Sequence, residues 1–272
     1  MTQSPLQFSI EDGIATIAFD NDVRRNAMGP RMLAAFDAAL DTAVKRREDV
    51  RVIILTGRGR AFCSGGDMAE ATQIAGTRRA GGPEGDRAGS HYTLGSHHHP
   101  VLRKLRELPF PLITALNGPA AGMGLGYALM GDLIVAKRSA RLSARFVKVG
   151  MSPDAGASWL LPRLIGNARA REMLLLGDDV SAEQALAWGM INRVFDDESF
   201  EAETHALAER LAAGPPLALG RIRQLCWDAW KNSHEEQIHH EEKRQQEMSL
   251  SEDALEGFTA FLEKRAPLFR GR

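Results

Sequence analysis

Two stretches of this chain follow the same order of residue types, and that order restricts the fold more than anything else in the sequence. "RVIILTGRGRAFCSGGDM" (51–68) and "PLITALNGPAAGMGLGYALMG" (111–131) each run an unbroken apolar strand into a turn of glycine and other small residues. Each turn then opens a helix. Strands with no polar alternation are expected in a parallel sheet covered on both faces, and strand–turn–helix repetition is the mark of an α/β fold.

The rest of the chain extends that pattern. "LQFSIEDGIATIAFD" reads as two strands around a turn at Asp12–Gly13. "RMLAAFDAALDTAV" places Met32, Leu33, Phe36, Leu40 and Val44 on one helical face. "VLRKLREL" predicts a helix stopped by Pro109, and "DLIVA" another strand. Residues 76–100 hold six glycines and read as a loop, a candidate lid. Beyond about residue 195 the pattern becomes helical, with Gly214, Pro215 and Pro216 as a stop between helices. The expected division is an α/β core over 1–195 and a helical part over 196–272.

The glycine turns do not bind a nucleotide in a known way. "GMGLG" has the wrong spacing for a dinucleotide fingerprint, and "GYALMGDL" lacks the Lys and Ser/Thr of a phosphate loop. What they offer is bare backbone. The first amides of a helix have no intrahelical acceptor, and the helix dipole adds positive potential there. Two such turns converging on one point form an oxyanion hole. Two tight strand–helix connections give the same sequence.

Other conspicuous residues have ordinary readings. Asp67 suits the N-cap of a helix starting at Met68, Cys63 a small packing position, and Asp154 a turn beside Pro153 and Gly156. "SHHHP" (96–100) reads as solvated loop. "HEEQIHH" departs from a zinc-protease motif, because His234 and His239 fall about 140° apart on a helix.

Composition excludes several function classes. Lysines and arginines number 34 against 35 acidic residues, so the net charge of −1 draws in no nucleic acid. Two cysteines make no disulfide framework and suit a reducing compartment. The first residues lack the basic and apolar regions of a secretory signal, and no apolar run reaches the ~18 residues of a membrane span. A cytoplasmic protein is expected.

"GRGRAFCSGGDM", "NGPAAGMGLGYALMGDLIVA", "KVGMSPDAGASWLLPRLIG", "GDDVSAEQALAWGMINRV" and "KRAPLFRGR" together resemble the enoyl-CoA hydratase/isomerase, or crotonase, superfamily, in family order and over nearly the whole chain. The resemblance implies a spiral of ββα units with a C-terminal helical trimerisation region, a trimer or dimer of trimers, an acyl-CoA thioester substrate, and no metal or separate cofactor. It places the two oxyanion N–H donors on Gly66 and Met123. The glutamates that family hydratases use to activate water fall on Gly126 and Phe146, so both are missing. Asp154 aligns with the aspartate of family isomerases, and "SPDAGASWLLPRLIG" resembles the phenylacetate-pathway ring-epoxide type. The expectation is isomerisation with Asp154 as proton shuttle and Phe146 lining the acyl pocket. A hydratase with atypical water activation and a non-catalytic acyl-CoA binder are the alternatives. Substrate contacts implied by resemblance are Arg24, Arg25 and Ala27, then Cys63, Ser64, Gly65, Asp67 and Met68, then Ala121, Gly122 and Pro153. The tail residues Phe269 and Arg270 match a segment that touches coenzyme A on a neighbouring subunit, and Arg58 and Arg60 lie near the channel.

Overall fold

The computed structural model describes residues 4–69, 72 and 94–272. Most of the candidate lid at 76–100 lies outside them.

β1 (Leu6–Glu11) and β2 (Ile14–Phe19) form an antiparallel hairpin, with Leu6 opposite Phe19. Its turn is left-handed at both Asp12 and Gly13, the conformation a two-residue hairpin loop needs. From β2 onward the sheet is parallel: β3 (Val52–Gly57), β4 (Leu112–Leu116), β6 (Leu133–Lys137) and β9 (Arg193–Phe195) add in the order β1-β2-β3-β4-β6-β9. β3 and β4 are buried almost throughout, as their unbroken apolar sequence requires. A second sheet joins β5 (Ala120–Ala121), β7 (Arg141–Ser143) and β8 (Asp179–Ser181).

α1 (Pro30–Lys45) packs Met32, Leu33, Phe36, Ala39, Leu40 and Ala43 inward. Val44 is exposed, contrary to the sequence expectation, and Ala43 takes its place. Ala43 continues the row Met32, Phe36, Ala39 at helical spacing, whereas Val44 sits one step, about 100°, beyond it. α2 (His99–Glu107) follows a single wide turn at Leu94–His98, and α3 (Met123–Ala128) follows β5. α4 (Ala157–Leu176) bends at Gly166, and α5 (Ala182–Ala187) precedes β9.

Two apolar cores flank the large sheet. The larger contains Phe19, Phe36, Phe62, Leu105 and Tyr127, together with the buried residues of α3 and α4. The smaller lies on the other face, where α6 (Phe200–Ala212) covers Val52, Ile54, Ile113 and Val135 with Phe200 and Leu207. Among the described residues after β9 only helices occur: α6, α7 (Pro216–Asp228), α8 (His234–Ser249) and α9 (Glu252–Glu263). α8 starts with a capping box between Ser233 and Glu236. No helix is long and apolar enough to cross a membrane among the described residues.

α7 is bolted to the sheet by the buried Arg223. It donates to Asp132 Oδ2 at 2.6 Å and to the carbonyls of Leu105, Arg106 and Leu108 at the end of α2. The guanidinium donors satisfy the last carbonyls of α2, and Asp132 also accepts from the Leu112 amide at the start of β4.

Candidate active site

The two glycine turns meet. The amides of Phe62 and Cys63 donate to Pro119 O at 3.1 and 3.2 Å, and the Ala121 amide returns a bond to Cys63 O at 2.9 Å. Gly65, at φ +103, lies against the second turn: a Cβ there would be 2.9 Å from Ala121 O and 3.6 Å from the Met123 nitrogen. Gly122, at φ +54 and ψ −123, opens α3 in a conformation open to glycine.

This places Gly66 and Met123 at the edges of one junction. Met28 donates to Gly65 O at 2.7 Å in a parallel bridge that pairs Met28 with Gly66. In such a pairing the Gly66 N–H turns away from the Met28 strand. A Cβ on Gly66 would find nothing within 4 Å, so this residue borders open space. Met123 is the first residue of α3, and its N–H has no helical acceptor. Neither amide has an acceptor among the described residues.

Asp154 approaches α3 from the other side. It sits on a loop whose next two residues, Ala155 and Gly156, are both left-handed, at φ +48 and +80. Its carbonyl accepts from the Ala157 amide at 2.9 Å, so the turn leads directly into α4. The side-chain Oδ1 is buried and has no hydrogen-bond partner. Burial alone raises the carboxyl pKa to about 6. Gly126 packs against Ala155. The Phe146 ring, buried in the turn Arg145–Val149, lies 3.8 Å from the Cβ position of Gly122. Gly65, Phe146 and the turn that follows Asp154 therefore pack around the same short helix, which Gly122 and Met123 open.

The segment carrying Arg24, Arg25 and Ala27 is tied to the first turn. Ser64 donates from its amide to Arg25 O and from its hydroxyl to Arg24 O, at 3.0 and 3.2 Å. The Arg24 guanidinium pairs with Asp67 Oδ2 at 2.5 Å, while Asp67 Oδ1 accepts from the Ala69 amide. Asp67 is thus the N-cap its sequence position suggests, and Met68 is exposed at the start of that helix. Arg60 pairs with Asp22 at 3.1 Å. Burial pushes the Cys63 thiol up to about 12, consistent with a packing residue and not a nucleophile. Pro153 is half-buried just before Asp154.

Phe269 and Arg270 lie elsewhere in this chain. The Phe269 ring packs 3.5 Å from the Cβ position of Gly257 on α9, and the Arg270 amide donates to Asp253 Oδ1.

Some residues that shape the site escaped the sequence reading. Asn26 is fully buried at φ +56; its Nδ2 donates to Arg58 O and Ala61 O, and its Oδ1 accepts from the Asn21 amide. Asn117 does the same work at the second turn, with bonds to Gly57 N, Gly59 O and Ala61 O. Asparagine in "RRNAM" and "LNGP" carries a turn signal, but not which distant carbonyls it serves. The reading of "SHHHP" as solvated loop needs correction at His98. It is buried, and its Nδ1 lies 2.8 Å from Tyr127 Oη on α3. Burial first, then the neighbouring His97 and His99, lowers its pKa to about 4, so it is neutral. A hydrogen bond to a buried tyrosine 29 residues away leaves no local trace in sequence. No cluster of metal-ligating side chains occurs among the described residues.

Comparison with known proteins decides the family. The enoyl-CoA hydratase/isomerase model matches residues 9–272. The chain belongs to the enoyl-CoA hydratase/isomerase family. It is 39% identical over 263 residues to 1,2-epoxyphenylacetyl-CoA isomerase of Escherichia coli K12, covering 97% of each chain. It is 36% identical to a probable enoyl-CoA hydratase of Rhodobacter capsulatus over the full length of both. A crystal structure of an enoyl-CoA hydratase from Polaromonas sp. JS666 superposes with a TM-score of 0.88 at 31% identity, covering 97% of this chain and 99% of that one. The two-sheet architecture is accordingly the crotonase fold, and the chain is an enzyme of the hydratase/isomerase family. The turns that carry Gly66 and Met123 meet at one junction, and the turn that follows Asp154 packs on the helix that Met123 opens.

Proposed function

We propose that the protein isomerises an acyl-CoA thioester by moving a double bond along the acyl chain. The thioester oxygen is held by the amides of Gly66 and Met123, and Asp154 takes a proton from one carbon and returns it to another. The observation that carries this reading is the half-buried Asp154 carboxyl, whose Oδ1 is buried without a hydrogen-bond partner, with glycine at 126 and phenylalanine at 146. Removing a proton beside a thioester drives negative charge onto the carbonyl oxygen as the enolate forms. Two fixed main-chain donors stabilise that charge without reorganisation, each worth about 10²–10³ in rate. A carboxyl with its pKa near 6 accepts and releases a proton with little penalty at neutral pH. Phe146 excludes water from the intermediate, and no metal or separate cofactor takes part. The 1,2-epoxyphenylacetyl-CoA isomerase relative supports an aromatic acyl group as one candidate substrate.

Arg24, Arg25, Arg58 and Arg60 are proposed to face the coenzyme A phosphates. Residues 196–272 are proposed as the oligomerisation region of a trimer or dimer of trimers, with Phe269 and Arg270 reaching a neighbour's coenzyme A.

The test is incubation with 2-enoyl-, 3-enoyl-, dienoyl- and aryl-CoA esters in heavy water, read by mass spectrometry. Deuterium incorporation by the wild type, abolished in Asp154→Asn, is the expected result. Formation of 3-hydroxyacyl-CoA that survives Asp154→Asn overturns it in favour of water addition. Binding without exchange on any ester makes the protein an acyl-CoA binder.

A further inference from the structure

α3 is clasped on two sides by backbone, and a glycine faces each clasp. Gly124 faces the first turn: a Cβ there would lie 2.3 Å from Cys63 O. Gly126 faces the turn that carries Asp154. A Cβ at 126 would lie 2.4 Å from Ala155 Cβ, 2.6 Å from Ala155 O and 3.1 Å from its carbonyl carbon. Two of these three atoms are main chain, and the third is a methyl attached directly to it. No rotamer change can relieve such a contact, so the turn itself would have to move.

We infer that Gly126 is the positioning residue for Asp154: the missing side chain at 126 is what lets the left-handed turn 154–156 seat on α3 and bury the carboxyl beside it. A Cβ at 126 cannot be added without moving the turn that follows Asp154. Ala155 supports this from the other partner. It is buried and held at φ +48, a conformation that costs an alanine energy and persists only where packing enforces it. The bare backbone of Gly126 leaves the room that this conformation fills.

Gly126 acts through Asp154, so this inference rests on the isomerase reading for what Asp154 does. The readout that separates positioning from general damage to α3 is the acid limb of the pH–rate profile. Several charged and titratable groups on the elements around Asp154 are engaged elsewhere. Tyr127 of α3 bonds His98, Arg145 and Lys148 pair with Asp179 and Asp178, and Arg163 of α4 donates to Trp159 O. Burial is the sole cause of the raised Asp154 pKa, so displacing the turn lets it fall.

The experiment compares Gly126→Ala, Gly124→Ala, Ala155→Gly and Asp154→Asn in the exchange assay, with kcat, KM and pH–rate profiles. Gly126→Ala is expected to lower kcat at least tenfold with KM within about threefold, and to move the acid limb from about 6 toward the ordinary carboxylate value of 3.8. Gly124→Ala disturbs the other clasp, so it lowers kcat with the acid limb unmoved. Gly126→Ala with kcat within twofold of wild type, or with an acid limb that stays where it was, overturns the inference. If Gly126→Ala does not fold, Ala155→Gly decides. Glycine suits φ +48, so this variant adds no backbone strain, and loss of the seated methyl is expected to lower the acid limb; an unchanged limb overturns the inference. Exchange that survives Asp154→Asn instead defeats the isomerase reading, which keeps the two failures apart.

Discussion

At the scale of single residues, Asp154 carries opposing demands. Its folded pKa of about 6 against an ordinary 3.8 means the native state holds its proton more tightly than the unfolded chain does. Below pH 3.8 both states are protonated and the group costs nothing. As pH rises from 3.8 to 6 the unfolded chain ionises first, so stability falls across that window and stays lower above it. Asp154→Asn is therefore expected to stabilise the fold at pH 8 by at most about 3 kcal/mol, and not at pH 3.5, while abolishing exchange. Thermal denaturation at the two pH values checks it; equal shifts at both would mean that ionisation is not the source. Activity should rise with pH through about 6, because the carboxylate is the form that takes the first proton. The oxyanion pair is tested at this scale too. Gly66→Pro deletes one N–H and is expected to lower kcat about 10²–10³-fold or more, whereas Met123→Ala keeps its amide and should lose less than tenfold. Equal, severe loss from both would shift the role from the Met123 amide to its side chain.

At the scale of elements, the site depends on loops stitched together by asparagine. Asn26 ties the loop before Met28 to the turn after β3 through two bonds and closes its own loop through a third, in a left-handed conformation that asparagine tolerates. Asn26→Ala leaves a buried amide and two carbonyls without that partner and puts alanine at φ +56. The expected cost is about 2–4 kcal/mol, read as a lower urea midpoint at unchanged m-value, with kcat falling more than KM rises. A loss under 1 kcal/mol would show that the turn holds its shape without the staple. The contrast with the strands explains what the sequence disclosed. β3 and β4 announced themselves because burial on both faces demands an unbroken apolar run, and the glycine turns because close backbone approach forbids side chains. Position 154 in a turn was legible, but the unpartnered, buried Oδ1 was not, since that belongs to the folded surroundings. Asn26 and His98 bond groups 32 and 29 residues away. Long-range bonds of that kind leave no periodicity to read.

At the scale of the whole molecule, the C-terminal helices present more apolar surface than a lone chain comfortably carries. Leu250 is 89% exposed, Phe261 83% and Leu262 79%, with Leu255, Phe258 and Leu268 exposed beside them. Phe258 and Phe261 also line an apolar cavity of about 410 Å³ with Pro215, Leu217, Ala218 and Phe269. Contiguous apolar patches of this kind mark contact surfaces, and single exposed leucines do not. Nothing in the folding of the chain itself calls for Phe261 and Leu262 on this face: α9 keeps only Asp253 and Ala260 buried, and Asp253 there caps the chain end by accepting from the Arg270 and Gly271 amides. A second copy covering the face accounts for both facts, since it removes the apolar area from water and leaves each chain's own ties intact. Phe261→Glu places a charge in that contact without touching the residues that hold α9 to its chain. Wild type is expected to sediment as a trimer or a multiple of it at micromolar concentration, and Phe261→Glu as a smaller species with an unchanged far-ultraviolet circular dichroism spectrum. Activity should fall with the assembly if Phe269 and Arg270 complete a neighbour's site, and survive it if they do not. A wild type that sediments as a monomer would leave this apolar face to a different partner and return the whole reaction to one chain.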